Sequence, residues 1–378
     1  MKKIILLGCT GSIGRNTIDI IRRYPDEFRI TGLSAHRNEK ELQSLKTEFG
    51  NPVCVLTGQT KESSESGLSG EEQLLRMLWE TDADLVVNAI AGSAGLLPSE
   101  AAISSGKNLA LANKETVVMA GDCMNDLAKK NGRMIIPVDS EHSAVFQLLR
   151  QRQKDDIEEI ILTASGGPFR NASAEELQGV TPKQALNHPV WNMGRKITLD
   201  SATLANKGLE VLEAYYYFHF SLDKIKVLIH PDGLVHSLVR TYDGAMYAQI
   251  SAPDMRLPIL NALTYPRIKE SSYGRMNLEG KSFSFSAPDT NRFPMLKYAY
   301  QAGKSGGGYP AAYNGANETA ADAFFKGLIG FTDIAEVVGV TLEADWGNLI
   351  GSCQQARETG VRASEYAASA ISRIGRSN

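Results

Sequence analysis

The chain of 378 residues is too long for one hydrophobic core, so two or three domains are expected, and 43% hydrophobic with 22% charged residues is an ordinary globular composition. Its 40 Lys and Arg balance 43 Asp and Glu, and a net charge of -3 gives no electrostatic reason for nucleic acid or a membrane surface as partner. Cys9, Cys54, Cys123 and Cys353 are scattered without CxxC spacing, which suits a reducing compartment and argues against a cysteine metal site.

The opening MKKIILL has an apolar run only from Ile4 to Leu7 before Gly-Cys-Thr-Gly. That is too short for a signal peptide and fits a first strand. No stretch approaches a membrane span, so a cytoplasmic protein is expected. A helix over 16–23 follows, then a strand FRITGLS, a helix over 39–49, a strand ADLVVNAIAG, a helix over 99–105, and the strands NLALAN and RMIIPV. This alternation predicts an α/β fold with a Rossmann-like, doubly wound parallel sheet. In the middle third IEEIILTAS, RKITLDS, KIKVLIH, LVHSLVR and AMYAQIS read as strands of an antiparallel or mixed sheet, hence an α+β domain. The segment 269–291 is rich in Ser, Gly and Pro and reads as a linker, GKSGGGYP as a second loop, and the Ala-rich remainder as helices. The expected division is a nucleotide domain over 1–150, a catalytic and dimerisation domain over 151–290, and a C-terminal helical domain over 291–378.

GCTGSIG lies directly after the first strand and opens a helix. Glycines there permit a tight turn and let a diphosphate approach the helix N-terminus. A site for NAD usually has an acidic residue about 20 residues on, at the end of the second strand. Here that strand ends Leu33-Ser34-Ala35-His36-Arg37-Asn38, and Arg37 and His36 can face a 2′-phosphate, which favours NADPH. ALANKE stands at the end of another strand, where Asn113 can meet a cofactor and Lys114 a substrate.

In PVDSEHSAV an apolar run stops at Asp139, Ser140, Glu141 and His142. One reading makes Asp139 or Ser140 the cap of the helix HSAVFQLL, with Glu141 in its first turn. The other makes Asp139 and Glu141 hard ligands for Mg²⁺ or Mn²⁺, which keeps substrate oxygens or water in its remaining positions. A third carboxylate is available in DSATLANKGLE, where a helix is expected to start near Ser201 after the strand RKITLD. Asn206, Lys207 and Glu210 then share one helix face. TASGGPF can present Ser165 and backbone amides to a phosphate. The stretch 170–194, ending HPVWNMG with Trp191 and Met193, reads as a lid, with two helix-start signals in it, Ser173-x-x-Glu176 and Thr181-Pro182.

Together, GCTGSIG, ALANKE, VDSEHSA, TASGGPF, HPVWNMGRKITLDSATLANKGLE, PDMRLPI and NGANE, in this order over residues 1–335, resemble the 1-deoxy-D-xylulose 5-phosphate reductoisomerase family. The resemblance implies a homodimeric enzyme that makes 2-C-methyl-D-erythritol 4-phosphate in the non-mevalonate isoprenoid pathway. It implies NADPH and a divalent cation, Mg²⁺ or Mn²⁺ with Co²⁺ as a further candidate. Carried onto this sequence, Asp139, Glu141 and Glu210 become the metal ligands. Ser165, Ser201, Asn206 and Lys207 meet the substrate phosphate, and Lys114 and Ser140 its hydroxyls. His188 and Trp191 belong to the lid. Thr10, Gly11, Ser12, Ile13, His36, Arg37, Asn38, Asn113, Glu115 and Gly194 line the cofactor site, and Lys114, Glu141, His188 and Glu210 carry the chemistry. Three positions depart from the family pattern: His36 stands where glycine is usual, Asp232-Gly233 where Gln-Ser is usual, and Val190 where Asn is common. Two rival readings are an NADPH dehydrogenase of the homoserine or semialdehyde type and a non-catalytic nucleotide sensor. Neither needs three carboxylates around a metal.

Overall fold

Apolar runs without alternation form strands here because helices can cover both faces of the sheet that holds them. β1 (Lys2–Leu7), β2 (Phe28–Ala35), β3 (Val53–Leu56), β4 (Leu85–Asn88), β5 (Asn108–Leu111) and β6 (Ile135–Pro137) make one sheet in the order β3-β2-β1-β4-β5-β6. Every pairing in it is parallel. Ile4, Ile5, Leu6 and Leu7 of the central β1 have no solvent exposure. The helices between strands are α1 (Ser12–Arg23), α2 (Glu39–Glu48), α3 (Gly70–Glu80), α4 (Leu96–Ser104) and α5 (Lys114–Asn131), and α6 (Ser140–Leu149) follows β6. Strand order reverses between β1 and β4, so the turns after both strands open at one switch point, where ligands of such sheets bind.

The computed structural model describes residues 1–58, 68–191 and 193–374. They fall into two compact units. The first holds Met1–Thr116, Met124–Ser143 and Asp254–Tyr273. The second holds Val117–Cys123, Ala144–Pro253 and the chain from Gly274 onward. Residue 192 of the expected lid and the last four residues of the expected helical tail lie outside the described residues.

In the second unit β7 (Ile157–Ala164) is followed by α7 (Ala174–Gln178), α8 (Pro182–Ala185), α9 (Arg195–Thr203) and α10 (Ala205–Phe218), then β8 (Ile225–Ile229), β9 (Val235–Thr241) and β10 (Met246–Ile250). The sheet order is β10-β9-β7-β8. β7 runs parallel to β8 and antiparallel to β9, so the sheet is mixed. The chain then returns to the first unit for α11 (Arg256–Thr264), where Arg256 pairs with Asp19 of α1 at 3.1 Å and Lys2 donates to the Leu263 carbonyl at 2.6 Å. It re-enters the second unit for α12 (Met295–Ser305), α13 (Tyr309–Phe325), α14 (Asp333–Leu342) and α15 (Cys353–Ile374). Ile160 and Leu162 of β7, Leu209 and Leu212 of α10, Leu296 of α12 and Tyr313 of α13 share one core. The helices after residue 291 cluster with the second unit and share its core. No helix among the described residues is long and apolar enough to cross a membrane.

RKITLD, expected as a strand, is helical within α9. The alternation Lys-Ile-Thr-Leu fits a half-buried strand, but the N-cap conformation and two local bonds favour the helix. Gly194 takes the extended N-cap conformation, the Thr198 hydroxyl donates back to its carbonyl at 2.8 Å, and Lys196 pairs with Asp200 one turn on at 2.7 Å. Thr198, Leu199, Ala202 and Thr203 are buried. Ser201 therefore lies inside this helix, not at the start of one.

Candidate functional site

The turn between β1 and α1 is fixed by close backbone approach. Gly8 has φ +75°, and a Cβ on it would stand 2.7 Å from the Ala89 carbonyl oxygen. A Cβ on Gly14 would lie 2.6 Å from the Cys9 Cα. Gly11, the exposed N-cap, meets nothing closer than 3.4 Å, and no side chain caps the amides that follow at Ser12 and Ile13. Unclaimed amides at a helix N-terminus suit a diphosphate. Thr10 is half-buried on the same turn, and His36, Arg37 and Asn38 are exposed beyond β2. The Thr57 hydroxyl donates to the Ala35 carbonyl, so His36 Nδ1, 3.1 Å from it, is the donor in that contact. Asn38 caps α2 through the Glu41 amide. Arg37 has no ion-pair partner among the described residues.

Asn113 is nearly fully buried. Its amide donates to the Ile90 and Gly92 carbonyls at 2.8 and 2.7 Å, and its oxygen accepts from the Thr116 amide at 2.9 Å. It therefore shapes the turn after β4 rather than offering a free amide. Glu115 is buried beside it, 3.1 Å from the Asn113 nitrogen. Lys114, also buried, pairs with Asp139 at 2.7 Å.

Asp139 ends the loop after β6, and α6 begins at the next residue. Its Oδ1 accepts from the Glu141 amide at 3.3 Å and lies 3.5 Å from His142 Nδ1. Burial pushes its carboxyl up, but the Lys114 charge and His142 outweigh burial and hold it well below the usual carboxylate range. Capping and an ionised carboxylate coexist, so the helix-start reading and the ligand reading of this stretch do not compete. The Ser140 hydroxyl donates to Glu141.

In the second unit His188 Nε2 lies 3.0 Å from the Ser165 hydroxyl and 3.1 Å from that of Ser201. Its Nδ1 accepts the amides of Val190 and Trp191 at 3.1 and 2.9 Å. An acceptor nitrogen carries no proton, so the ring is the neutral Nε2–H tautomer. Burial, and then the Arg170 charge, lower its pKa. Gly167, at φ +69°, would bring a Cβ within 2.7 Å of the Ser201 carbonyl, so the Ser-Gly-Gly turn rests directly on α9. On the first turns of α10 the Asn206 amide donates to Glu210 at 2.6 Å, and Lys207 forms an ion pair with the same carboxylate. Lys207 and Glu210 are 3% and 1% exposed, so this is not a solvated surface pair.

Residues 170–194 carry the two expected helix starts as capping boxes, Ser173 with Glu176 and Thr181 with Gln184. Leu177, Val180 and Ala185 are buried in the unit's core, which ties down most of the expected lid. Its tip lies on the turn between β8 and β9. Trp191 sits 6.3 Å from the His236 ring, and a Cβ on Gly233 would meet Val190 at 3.2 Å. Met193 is half-buried and Gly194 exposed. Gly194 belongs to the second unit. Lys196, Asp200 and His236 escaped the sequence reading. The spacing of Lys196 and Asp200, four residues apart, was the available signal once 195–203 is helical.

A doubly wound parallel sheet with an open glycine-shaped turn at its switch point, and a second unit that gathers two hydroxyls and an imidazole, place the chain in the class of two-unit α/β proteins with a dinucleotide-type fold. Residues 4–121 match the family 1-deoxy-D-xylulose 5-phosphate reductoisomerase, residues 135–218 its C-terminal domain, and residues 250–366 the DXP reductoisomerase C-terminal domain. The 1-deoxy-D-xylulose 5-phosphate reductoisomerase of Treponema denticola is 47% identical over 346 residues, 91% of either chain. That of Chlorobaculum tepidum is 46% identical over 354 residues, 91% of this chain and 93% of its own. Among solved structures, the Zymomonas mobilis enzyme in complex with NADPH superposes with a TM-score of 0.88 at 39% identity, covering 98% of this chain and 99% of its own. A DOX-P reductoisomerase in complex with NADPH, fosmidomycin and magnesium gives 0.89 at 37% identity, covering 98% of both. The chain belongs to the 1-deoxy-D-xylulose 5-phosphate reductoisomerase family and is an NADP-dependent oxidoreductase.

Proposed function

We propose that this protein converts 1-deoxy-D-xylulose 5-phosphate into 2-C-methyl-D-erythritol 4-phosphate in the non-mevalonate isoprenoid pathway, with NADPH and Mg²⁺ or Mn²⁺. The observation that carries the reading is the cluster of Ser165, His188 and Ser201, whose neutral imidazole holds two hydroxyls together. Such a cluster suits a phosphate, which can accept from both hydroxyls and from Nε2–H at once. Asn206 and Lys207 add an amide and a charge from α10.

Thr10, Gly11, Ser12 and Ile13 would hold the cofactor diphosphate, and Arg37 with Asn38 the ribose phosphate. The uncapped amides of α1 fit that group. His36, Asn113, Glu115 and Gly194 would line the same cofactor, with Asn113 acting through the turn it braces. Asp139, Glu141 and Glu210 would hold the cation. Oxygen-only donors fit Mg²⁺ or Mn²⁺. When bound, the cation supplies Lewis-acid polarisation of the substrate carbonyl.

The chain's own groups do the rest. Lys114 and Ser140 would orient the hydroxyls next to the reacting carbonyl. The Ser165, Ser201, Asn206 and Lys207 contacts would anchor the far end, so that binding energy remote from the reacting bonds closes the tip carrying His188 and Trp191 and excludes water. A second copy of the chain is the proposed partner, making a homodimer. The deciding experiment is NADPH oxidation followed at 340 nm in the ordinary absorbance assay. It should require both 1-deoxy-D-xylulose 5-phosphate and Mg²⁺. Oxidation that proceeds without the metal, or none with both present, would overturn the reading.

A further inference from the structure

NGANE, residues 314–318 on α13, has no part in the roles assigned so far. It faces the corner where α9 ends and α10 begins. That corner carries Ser201 on one side and Asn206 and Lys207 on the other. Between the helices Leu204 stands at φ +63°, a left-handed conformation that a residue with a branched side chain adopts only under constraint. Something must therefore hold the corner in place.

Asp200 and Tyr313 identify what does. Asp200, next to Ser201, is 2% exposed. One of its oxygens takes the Lys196 ammonium at 2.7 Å, and the other accepts from the Asn317 amide at 3.0 Å. Asn317 has no exposure, and its own oxygen has no partner among the described residues. An amide buried at the cost of an unsatisfied oxygen is expected where its nitrogen serves a purpose. One turn earlier on the same helix face, the Tyr313 hydroxyl lies 3.2 Å from the Met295 carbonyl and 3.5 Å from that of Ala205, the first residue of α10. A Cβ on Gly208 would stand 2.6 Å from this hydroxyl, so α10 is pressed against it.

We propose that Asn317 and Tyr313 are positioning residues that clamp the α9–α10 corner from both sides and set the spacing of Ser201, Asn206 and Lys207 for the substrate phosphate. The inference rests on the phosphate role given to those three residues. It extends the site to a helix more than a hundred residues away in sequence, through the carboxylate of Asp200.

The test uses the full-length enzyme with NADPH and Mg²⁺. Asn317→Asp sets a carboxylate against Asp200, and Asp200→Asn removes the acceptor charge. Each should raise KM for 1-deoxy-D-xylulose 5-phosphate by on the order of tenfold, with kcat changed less and NADPH affinity unchanged. The reciprocal double variant, Asp200→Asn with Asn317→Asp, restores an amide–carboxylate bond in reversed polarity and should recover most of the KM. Purely structural packing would lower thermal stability without that split or that rescue, and such a result overturns the proposal. If the single variants do not fold by circular dichroism, Tyr313→Phe, which removes only an oxygen, decides. A KM raised severalfold supports the clamp, and an unchanged KM overturns it. Lys207→Met in parallel separates the two layers. If it raises KM while the clamp variants do not, the clamp alone fails. If Lys207→Met leaves KM unmoved, the phosphate reading fails and takes the clamp with it.

Discussion

Glu210 is the residue whose replacement says most about the site. Its carboxylate is buried against Lys207 and Asn206, so it is aimed by fixed partners rather than solvated. Glu210→Gln keeps the shape and removes the charge. It should reduce turnover by at least two orders of magnitude while NADPH titrates as in the wild type, because the nucleotide turn lies on another unit. It should also lower stability, since a buried Lys207 left without its carboxylate costs roughly 3–5 kcal/mol. Activity within a few-fold of wild type would remove Glu210 from the metal shell. His188 makes a second prediction, about pH. Its Nδ1 can accept the amides of Val190 and Trp191 only when unprotonated. Burial first, and Arg170 second, depress its pKa below that of the unfolded chain, about 6.5. The folded state then holds the proton less tightly than the unfolded one. The stabilisation is complete above the unfolded value and is lost as pH falls below it towards the folded value. Nitrogen NMR of the imidazole should show the Nε2–H form at neutral pH and a midpoint under 6.5. A midpoint at or above that value would mean the amide contacts do not form in solution.

At the scale of elements, the stretch 170–194 separates into an anchored part and a tip. Leu177, Val180 and Ala185 belong to the core, whereas Trp191 keeps partial exposure against His236. Leu177→Ala should therefore cost stability, roughly 2–5 kcal/mol in denaturant unfolding, with turnover per folded molecule little changed. Trp191→Ala should do the reverse, lowering turnover more than the melting temperature. Equal losses of stability in both variants would make Trp191 a core residue and end the lid reading. The same contrast explains what was legible in the sequence. β1 and β4 are covered on both faces and read as unbroken apolar runs. β3 was missed because VCVL is short and sits at a sheet edge with Val53 exposed. Capping boxes at Ser173 and Thr181 were legible because a cap is local chemistry. α9 was misread because Lys-Ile-Thr-Leu has the period of a strand, and burial of Leu199 and Ala202 decides otherwise. Asn113, Asp139 and Ser165 stood out because each follows the end of a strand, whereas Ser201, Asn206, Lys207 and Glu210 lie on helices α9 and α10. The link from Asp200 to Asn317 spans 117 residues and leaves no periodic trace in the chain.

At the scale of the whole molecule, the open question of contact lies at β10. Among the described residues this strand pairs with β9 alone, and its other edge presents backbone donors and acceptors to no strand among them. Met246, Tyr247 and Ile250 along it are 44%, 40% and 37% exposed. An apolar edge strand left open invites pairing with other chains, and soluble proteins usually protect such edges with charge, proline or a covering element. The segment MYAQI carries no charge and no proline. The adjoining sheet face is closed by a small buried cluster. Ile161, Val235 and Leu238 form a small cluster there, with Leu228 and Phe283 packed against it. A second copy of this chain, seated on that edge and face, would cover both. Stable association of this kind needs about 1,200–2,000 Å² of buried surface, more than one strand edge supplies, so the face must take part. The wild-type protein should sediment at micromolar concentration as a particle of twice the 41.1 kDa chain mass. Ile250→Glu places a charge on the exposed edge strand, opposite Val235, and should shift the protein to the single-chain species. Its far-ultraviolet spectrum should remain that of the wild type, because Ile250 is a minor contributor to either core. Wild-type protein that sediments as one chain, or an Ile250→Glu variant that stays paired, would place the dimer contact elsewhere or remove it.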